Sequence, residues 1–220
     1  MKKLSGKFNY LKKMSEDQIQ RWAQELINIL KQTIKQESIY IEKYVNQLKK
    51  LNPGISNDEL AKEIIFRNSL KAGGIGAVCG LGGVITLPIT MPTDLYYCFK
   101  IQSRMVLAIA YVYGWDIHAP DMITDILLVL GGSASINALK KTGINIAQEF
   151  AKKSISKSIT REVMKKINKI LSRKIITKAG EKSFTSFLKL APVVGAPVGA
   201  VFDYASTWCI GKVALRFYGK

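Results

Sequence analysis

The sequence predicts an all-α fold: a single-domain helical bundle with two apolar helical hairpins that proline and glycine interrupt. Apolar residues recur at helical spacing, and no run of alternating apolar and polar residues bounded by turn signals competes with them. The 220 residues are 48% apolar, which suits one sizeable core. We therefore expect an N-terminal amphipathic helical region over residues 1–54 and the main helical domain over residues 55–220.

The first two helices are predicted by their start and stop signals. Ser15 and Gln18 have the spacing of a capping box, and apolar residues then recur at helical spacing. The Asn-Pro-Gly sequence at 52–54 ends this long helix, because proline cannot continue the hydrogen-bond ladder. Ser56 and Glu59 repeat the capping-box spacing, so a second helix is expected to begin there.

An uncharged stretch follows over residues 72–93. As one unbroken helix it would be about 33 Å long, enough to cross a bilayer core. Its two prolines and six glycines instead favour a kinked or re-entrant element. A second Pro/Gly run occupies residues 191–199. Two hypotheses remain, close helix packing inside the protein or a membrane-inserted hairpin. Either would use Gly73, Gly76, Gly80, Gly83, Pro88, Pro92, Pro192, Gly195, Pro197 and Gly199.

The remaining helices follow from similar signals. Thr93 or Asp94 can cap a helix that ends at Gly114 in a left-handed conformation. The Ala-Pro-Asp sequence at 119–121 starts another, which two glycines break or bend. A long helix is expected from Gly143 to about Lys178, and the second Pro/Gly run leads into Asp203 and a final helix.

Several segments together resemble the EcsC family. They are residues 75–116, 123–134 and 190–218, with Leu87, Pro88, Asp94, Gln102, Tyr113 and Gly114 at matching positions and a Pro-Val-Val-Gly segment at 192–195. The resemblance covers roughly residues 55–218, so residues 55–220 are expected to form an EcsC-like helical domain. It implies a cytoplasmic or membrane-associated bacterial protein without an established activity. A membrane transporter is a further partner that it implies, since EcsC proteins are similar to products encoded beside an ABC exporter.

Charge is unevenly distributed. The net charge of +17 divides into +5 for residues 1–70, 0 for residues 71–150 and +12 for residues 151–220. Residues 151–182 contain a row of basic side chains and a row of apolar side chains, which are about 200° apart around the predicted helix. This arrangement predicts a basic amphipathic helix. The predicted membrane-binding residues are Lys152, Lys153, Lys157, Arg161, Lys165, Lys166, Lys169, Arg173, Lys174 and Lys178.

This helix has three possible interpretations. It is a solvated outer helix whose apolar row packs on the core, or it also contacts anionic membrane lipids, or it binds nucleic acid. Nucleic acid is the least favoured partner, because no Phe, Tyr or Trp occurs from Ala151 to Ser183 to stack on bases.

Few residues suggest chemistry. Asp94 and Asp203, which follow the two Pro/Gly runs, are either helix caps or a functional carboxylate pair. His118 is expected to be a surface residue, and the three cysteines small core hydrophobes in a reducing compartment. One histidine and three cysteines cannot build an ordinary four-ligand zinc site without carboxylates. We therefore expect no metal, no cofactor and no catalytic residues.

The leading hypothesis is a non-enzymatic protein that docks on the cytoplasmic face of a bacterial membrane. Its basic helix would supply charge, and its Pro/Gly hairpins would supply apolar contact. One alternative is a membrane-inserting or pore-forming protein that packs its glycine-rich helix within the bilayer. Another is a lipid carrier or lipid-directed enzyme that uses Asp94 or Asp203 in an apolar cavity.

Overall fold

A computed structural model describes residues 16–81, 93–119, 122–132 and 192–219. Within these ranges every regular element is a helix, and the all-α prediction is confirmed. The helices are α1 (Glu16–Leu51), α2 (Asn57–Leu81), α3 (Thr93–Val112), α4 (Met122–Gly131) and α5 (Pro192–Tyr218).

Local capping signals set the helix ends. Ser56 and Glu59 form the predicted capping box, in which the Glu59 amide donates to Ser56 Oγ at 3.2 Å and the Ser56 amide donates to Glu59 Oε2 at 3.0 Å. The turn before it contains Gly54 at φ +85°, and the turn after α3 contains Gly114 at φ +76°. Both glycines adopt the left-handed conformation that other residues rarely adopt, so the two predicted stops are confirmed.

Helix α3 is at the centre of the five described helices. It contacts α1, α2, α4 and α5, and consecutive residues from Met105 to Ala110 are all buried. An amphipathic helix on a core surface would expose every third or fourth of these positions. Buried apolar side chains from all five helices, α1 included, form one hydrophobic cluster.

An ion-pair group joins α1 to α3. Glu37 receives a hydrogen bond from Arg104 Nε, and its Oε1 lies 3.1 Å from Lys100 Nζ. Burial acts to raise the pKa of the Glu37 carboxyl, but hydrogen bonds and charge from Arg104 and Lys100 outweigh burial and lower it. The carboxylate therefore stays charged while its side chain is only 15% exposed.

The cysteine prediction is correct for one residue and wrong for another. Cys98 is buried in the core, as expected, whereas Cys209 is exposed. Cys209 follows Pro197, Val201 and Ala205 at intervals of four residues, and all four are exposed, so it belongs to the outward face of α5. The predicted surface location of His118 is confirmed, and its Nε2 lies 2.8 Å from Glu42 Oε1.

Candidate functional site

A close contact between glycines joins α2 to α5. A Cβ atom placed on Gly76 would overlap the carbonyl oxygen of Gly199, and one placed on Gly199 would overlap the carbonyl oxygen of Gly76. At Gly73 a Cβ atom would lie 3.2 Å from the carbonyl oxygen of Ala200. The helix backbones therefore touch directly, which is the geometry that small residues permit. We call this contact, formed by Gly73, Gly76 and Gly199, the glycine seam.

The two helices are antiparallel. The glycine seam joins the C-terminal part of α2 to the N-terminal part of α5, whereas Gly211, near the end of α5, packs against Ile65 in the first half of α2. A Cβ atom on Gly211 would lie 2.6 Å from Ile65 Cγ1. The uncharged parts of the two helices, 72–81 and 192–202, are consequently side by side at one end of the pair.

A buried polar cluster lies beside the glycine seam, between α3 and α5. Asp203 is fully buried, and its Oδ1 lies 3.9 Å from Cys98 Sγ. Gln102 Nε2 donates to Thr207 Oγ1 at 3.1 Å and lies 3.3 Å from Cys98 Sγ and 3.4 Å from Ser206 Oγ. These side chains form a connected polar group inside an apolar core, where polar groups need such partners.

The glycines make room for this cluster. A Cβ atom on Gly76 would lie 2.7 Å from Asp203 Oδ2, so any larger residue at this position would push against the carboxylate as well as the α5 backbone. The glycine seam and the polar cluster are therefore one packing unit.

The proposed capping role of Asp203 is wrong. Helix α5 begins at Pro192, eleven residues before Asp203, so this aspartate lies in the helix interior. Proline is favoured in the first turn of a helix, and the Pro/Gly run forms the first turns of α5 instead of a separate segment. Asp94 is the second residue of α3, near the predicted start, but its side chain is outside the described residues.

The other predicted site residues divide into two groups. Gly80 lies in the last turn of α2, and Pro192, Gly195 and Pro197 lie in the first turns of α5. Gly83, Pro88 and Pro92 lie outside the described residues. So do all ten predicted membrane-binding residues, Lys152, Lys153, Lys157, Arg161, Lys165, Lys166, Lys169, Arg173, Lys174 and Lys178.

Exposed apolar side chains lie on the uncharged end of the α2–α5 pair. Val78 of α2 is 69% exposed and Val201 of α5 is 68% exposed. Pro197 and Gly74 are exposed on the same parts of the two helices. Valine is normally among the most buried residue types, so within the described ranges each of the two helix ends exposes an apolar face. Val78 lies about 200° around α2 from Gly76, and Val201 about 200° around α5 from Gly199, so the two faces point away from the glycine seam.

The described part of the chain offers no metal cluster, because nowhere in it do three His, Cys, Asp or Glu residues converge as ligands would. Nor does any helix in these ranges have both the length and the hydropathy to span a bilayer.

The family model named EcsC protein family matches residues 2–220. The chain belongs to the EcsC family. This match confirms the resemblance inferred from the sequence and extends it through α1 to nearly the whole chain. Neither the curated proteins nor the solved structures include a match to the chain.

Sequence reasoning missed most of the buried polar cluster in this EcsC protein. The sequence pattern predicts only a core position for Cys98 and no role for Ser206 or Thr207. A signal was available: Cys98 and Gln102 are four residues apart, as are Asp203 and Thr207, so each pair lies on one helix face. Only the packing of α3 against α5 shows that the two faces meet.

Proposed function

We propose that this EcsC-family protein is a non-enzymatic peripheral membrane protein that docks on the cytoplasmic face of a bacterial membrane. Residues 152–178 supply positive charge for anionic lipid headgroups, and the uncharged end of α2, of α5 or of both supplies apolar contact. Anionic lipids are the primary partner in this proposal. A membrane transporter is a second one, which rests on the family resemblance alone.

One observation carries the proposal: the exposure of Val78 and Val201 on adjoining, uncharged helix ends. An interior role would bury both side chains, and a soluble surface would place charged residues beside them. An exposed aliphatic helix face without adjacent charges suits the boundary between headgroups and acyl chains.

The charge distribution supports the same proposal. Residues 151–220 have a net charge of +12, and most of this charge lies in residues 152–178. At about 1 kcal/mol for each cation near an anionic surface, five side chains would contribute about 5 kcal/mol. That attraction is sufficient for reversible binding and is sensitive to salt.

Vesicle sedimentation tests the proposal. The purified chain should sediment with vesicles of phosphatidylcholine and phosphatidylserine and stay in the supernatant with phosphatidylcholine alone. Equal recovery in the supernatant with both vesicles would refute docking. Release of a trapped dye from sealed anionic vesicles would instead favour a membrane-inserting or pore-forming protein.

The buried polar cluster favours a second candidate, a lipid carrier or lipid-directed enzyme. Asp203 and Gln102 are polar groups within an apolar interior, the arrangement by which binding sites orient apolar ligands. Replacing Asp203 by Asn keeps its shape and tests this role. Lipid binding lost at unchanged stability would support a ligand site, whereas lost stability alone would assign Asp203 to packing.

A further inference from the structure

Helix α2 carries an exposed row of uncharged residues along its outer side. Phe66, Leu70, Gly74 and Val78 recur at intervals of four, and all four are exposed. Phe66 is 44% exposed, Leu70 is 51% exposed and Val78 is 69% exposed. At 1.5 Å per residue, the row is about 18 Å long. We call these four residues the α2 outer row.

Basic residues border the α2 outer row. Lys62, Arg67 and Lys71 are exposed. Arg67 Nε lies 2.6 Å from Glu63 Oε1 on the same helix, and Lys71 Nζ lies 5.8 Å from the centre of the Tyr44 ring. Arg67 is paired to Glu63, and exposed Glu59 offsets the charge of Lys62, so Lys71 leaves this side of α2 with a net charge of +1. Aliphatic and aromatic side chains flanked by cations are typical of helices that lie in an anionic lipid surface.

The exposed residues on the other helices form weaker candidates. On α1, Ile39 and Tyr40 are exposed, but exposed Lys35, Gln36 and Lys43 surround them. On α5 the outward positions after Val201 are Ala205 and Cys209, whose side chains are small. Within the described residues, α2 therefore presents the longest continuous row with large apolar side chains.

We infer that the α2 outer row is the surface of the protein that enters the lipid headgroup region, with α2 lying parallel to the membrane plane. Phe66, Leu70 and Val78 are buried among acyl chains, while Lys62 and Lys71 reach anionic headgroups at its border. A second copy of the chain is a poorer occupant, since a net charge of +17 on each molecule opposes self-association. This inference rests on the proposed function and adds the contact surface and the orientation.

Charge-matched substitutions test the inference. Leu70→Glu, Val78→Glu and the control Ile39→Glu each add one negative charge. All three positions are exposed, and Ile39 is 62% exposed. Partition onto phosphatidylserine-containing vesicles should fall about tenfold for Leu70→Glu and Val78→Glu, as expected for the loss of one buried aliphatic side chain. Ile39→Glu should change it by less than about twofold. Thermal unfolding should confirm that all three variants are folded.

A gain-of-binding variant keeps the test valid if a glutamate variant unfolds. A Cβ atom on Gly74 would meet nothing within 4 Å, so Gly74→Leu fits and lengthens the apolar row. Its partition onto the same vesicles should rise about fivefold or more. The matched control is Gln36→Leu, at an exposed position on α1, which should leave the partition unchanged.

The outcomes separate this inference from the proposed function. If the unsubstituted protein does not bind anionic vesicles, both fail. If it binds, but the α2 variants partition like their α1 controls, docking stands and the α2 outer row is not the contact surface. If Leu70→Glu converts a dimer into a monomer by gel filtration and leaves vesicle binding unchanged, the row binds a second copy and the inference is overturned.

Discussion

At the scale of single residues, two glycines two positions apart in α2 have opposite environments. Gly76 faces the α5 backbone and Asp203, whereas Gly74 faces open space. Gly76→Ala should lower the free energy of unfolding by about 2 kcal/mol, since its methyl group must displace a carbonyl oxygen. Gly74→Ala should raise it by about 0.5–1 kcal/mol through helix propensity. Urea unfolding of both variants measures the contrast, and equal stability would contradict the glycine seam.

A second residue-scale prediction concerns Glu37. Its lowered pKa means that its contribution to stability is fully present above the ordinary value of 4.5 and is lost as the pH falls through the folded-state pKa. At pH 7, Glu37→Gln should lower the free energy of unfolding by about 2 kcal/mol, because Lys100 and Arg104 lose a charged partner. The difference from the unsubstituted protein should shrink as the pH falls below 4.5 and through the lowered folded-state pKa, where Glu37 itself becomes protonated in the folded protein.

The control for Glu37 is Glu63→Gln. Glu63 pairs with Arg67 on the exposed side of α2, with side chains 37% and 50% exposed. Such exposed pairs contribute about 0.3–0.5 kcal/mol, so this variant should stay close to the unsubstituted protein at every pH. If the free energy of unfolding of Glu37→Gln followed that of the unsubstituted protein in parallel at every pH, the result would contradict a stabilising role for the α1–α3 ion pairs.

At the scale of elements, the start of α2 depends on the Ser56–Glu59 capping box. Ser56→Ala removes the acceptor of the Glu59 amide and should cost about 1 kcal/mol of stability. Ser56→Thr keeps a hydroxyl oxygen in place and should retain most of that stability. Thermal unfolding of the two variants compares them, and identical midpoints would show that the hydroxyl does not stabilise the helix start.

Helix ends could be predicted from the sequence because their causes are local. Gly54 and Gly114 stop helices through backbone conformation, and Ser56 starts one through a hydrogen bond to a residue three positions away. The role of Asp203 could not be predicted in this way. Its position after a Pro/Gly run resembles a cap, but Pro192 already begins the helix, and burial against α3 decides its environment.

The candidate site was predictable only in part, for a related reason. Gly73, Gly76 and Gly199 could be named from small-residue spacing, but their contact depends on the antiparallel packing of helices more than a hundred residues apart. Each helical glycine costs up to about 1 kcal/mol relative to alanine, and close backbone packing offsets that cost. The same long-range packing assembles Cys98, Gln102 and Asp203 into one polar cluster.

At the scale of the whole molecule, apolar and basic surfaces occur in different parts of the chain. Helix α3 is largely buried, and the uncharged ends of α2 and α5 pack side by side, with Val78 and Val201 exposed on the faces that point away from the glycine seam. The last 70 residues contribute +12 of the total charge of +17. An anionic membrane offers acyl chains to the apolar faces and charged headgroups to the cations. Membrane docking is therefore the function proposed for this EcsC protein.

The salt dependence of vesicle binding tests this proposal most directly. Between about 0.1 M and 1 M salt the Debye length shortens from about 10 Å to about 3 Å, which screens the attraction between exposed cations and headgroups. The partition coefficient onto phosphatidylserine-containing vesicles should fall more than about tenfold over this range, and partition onto phosphatidylcholine should be weak throughout. A partition coefficient that is independent of salt, or equal for the two lipids, would contradict docking through a cationic and apolar surface.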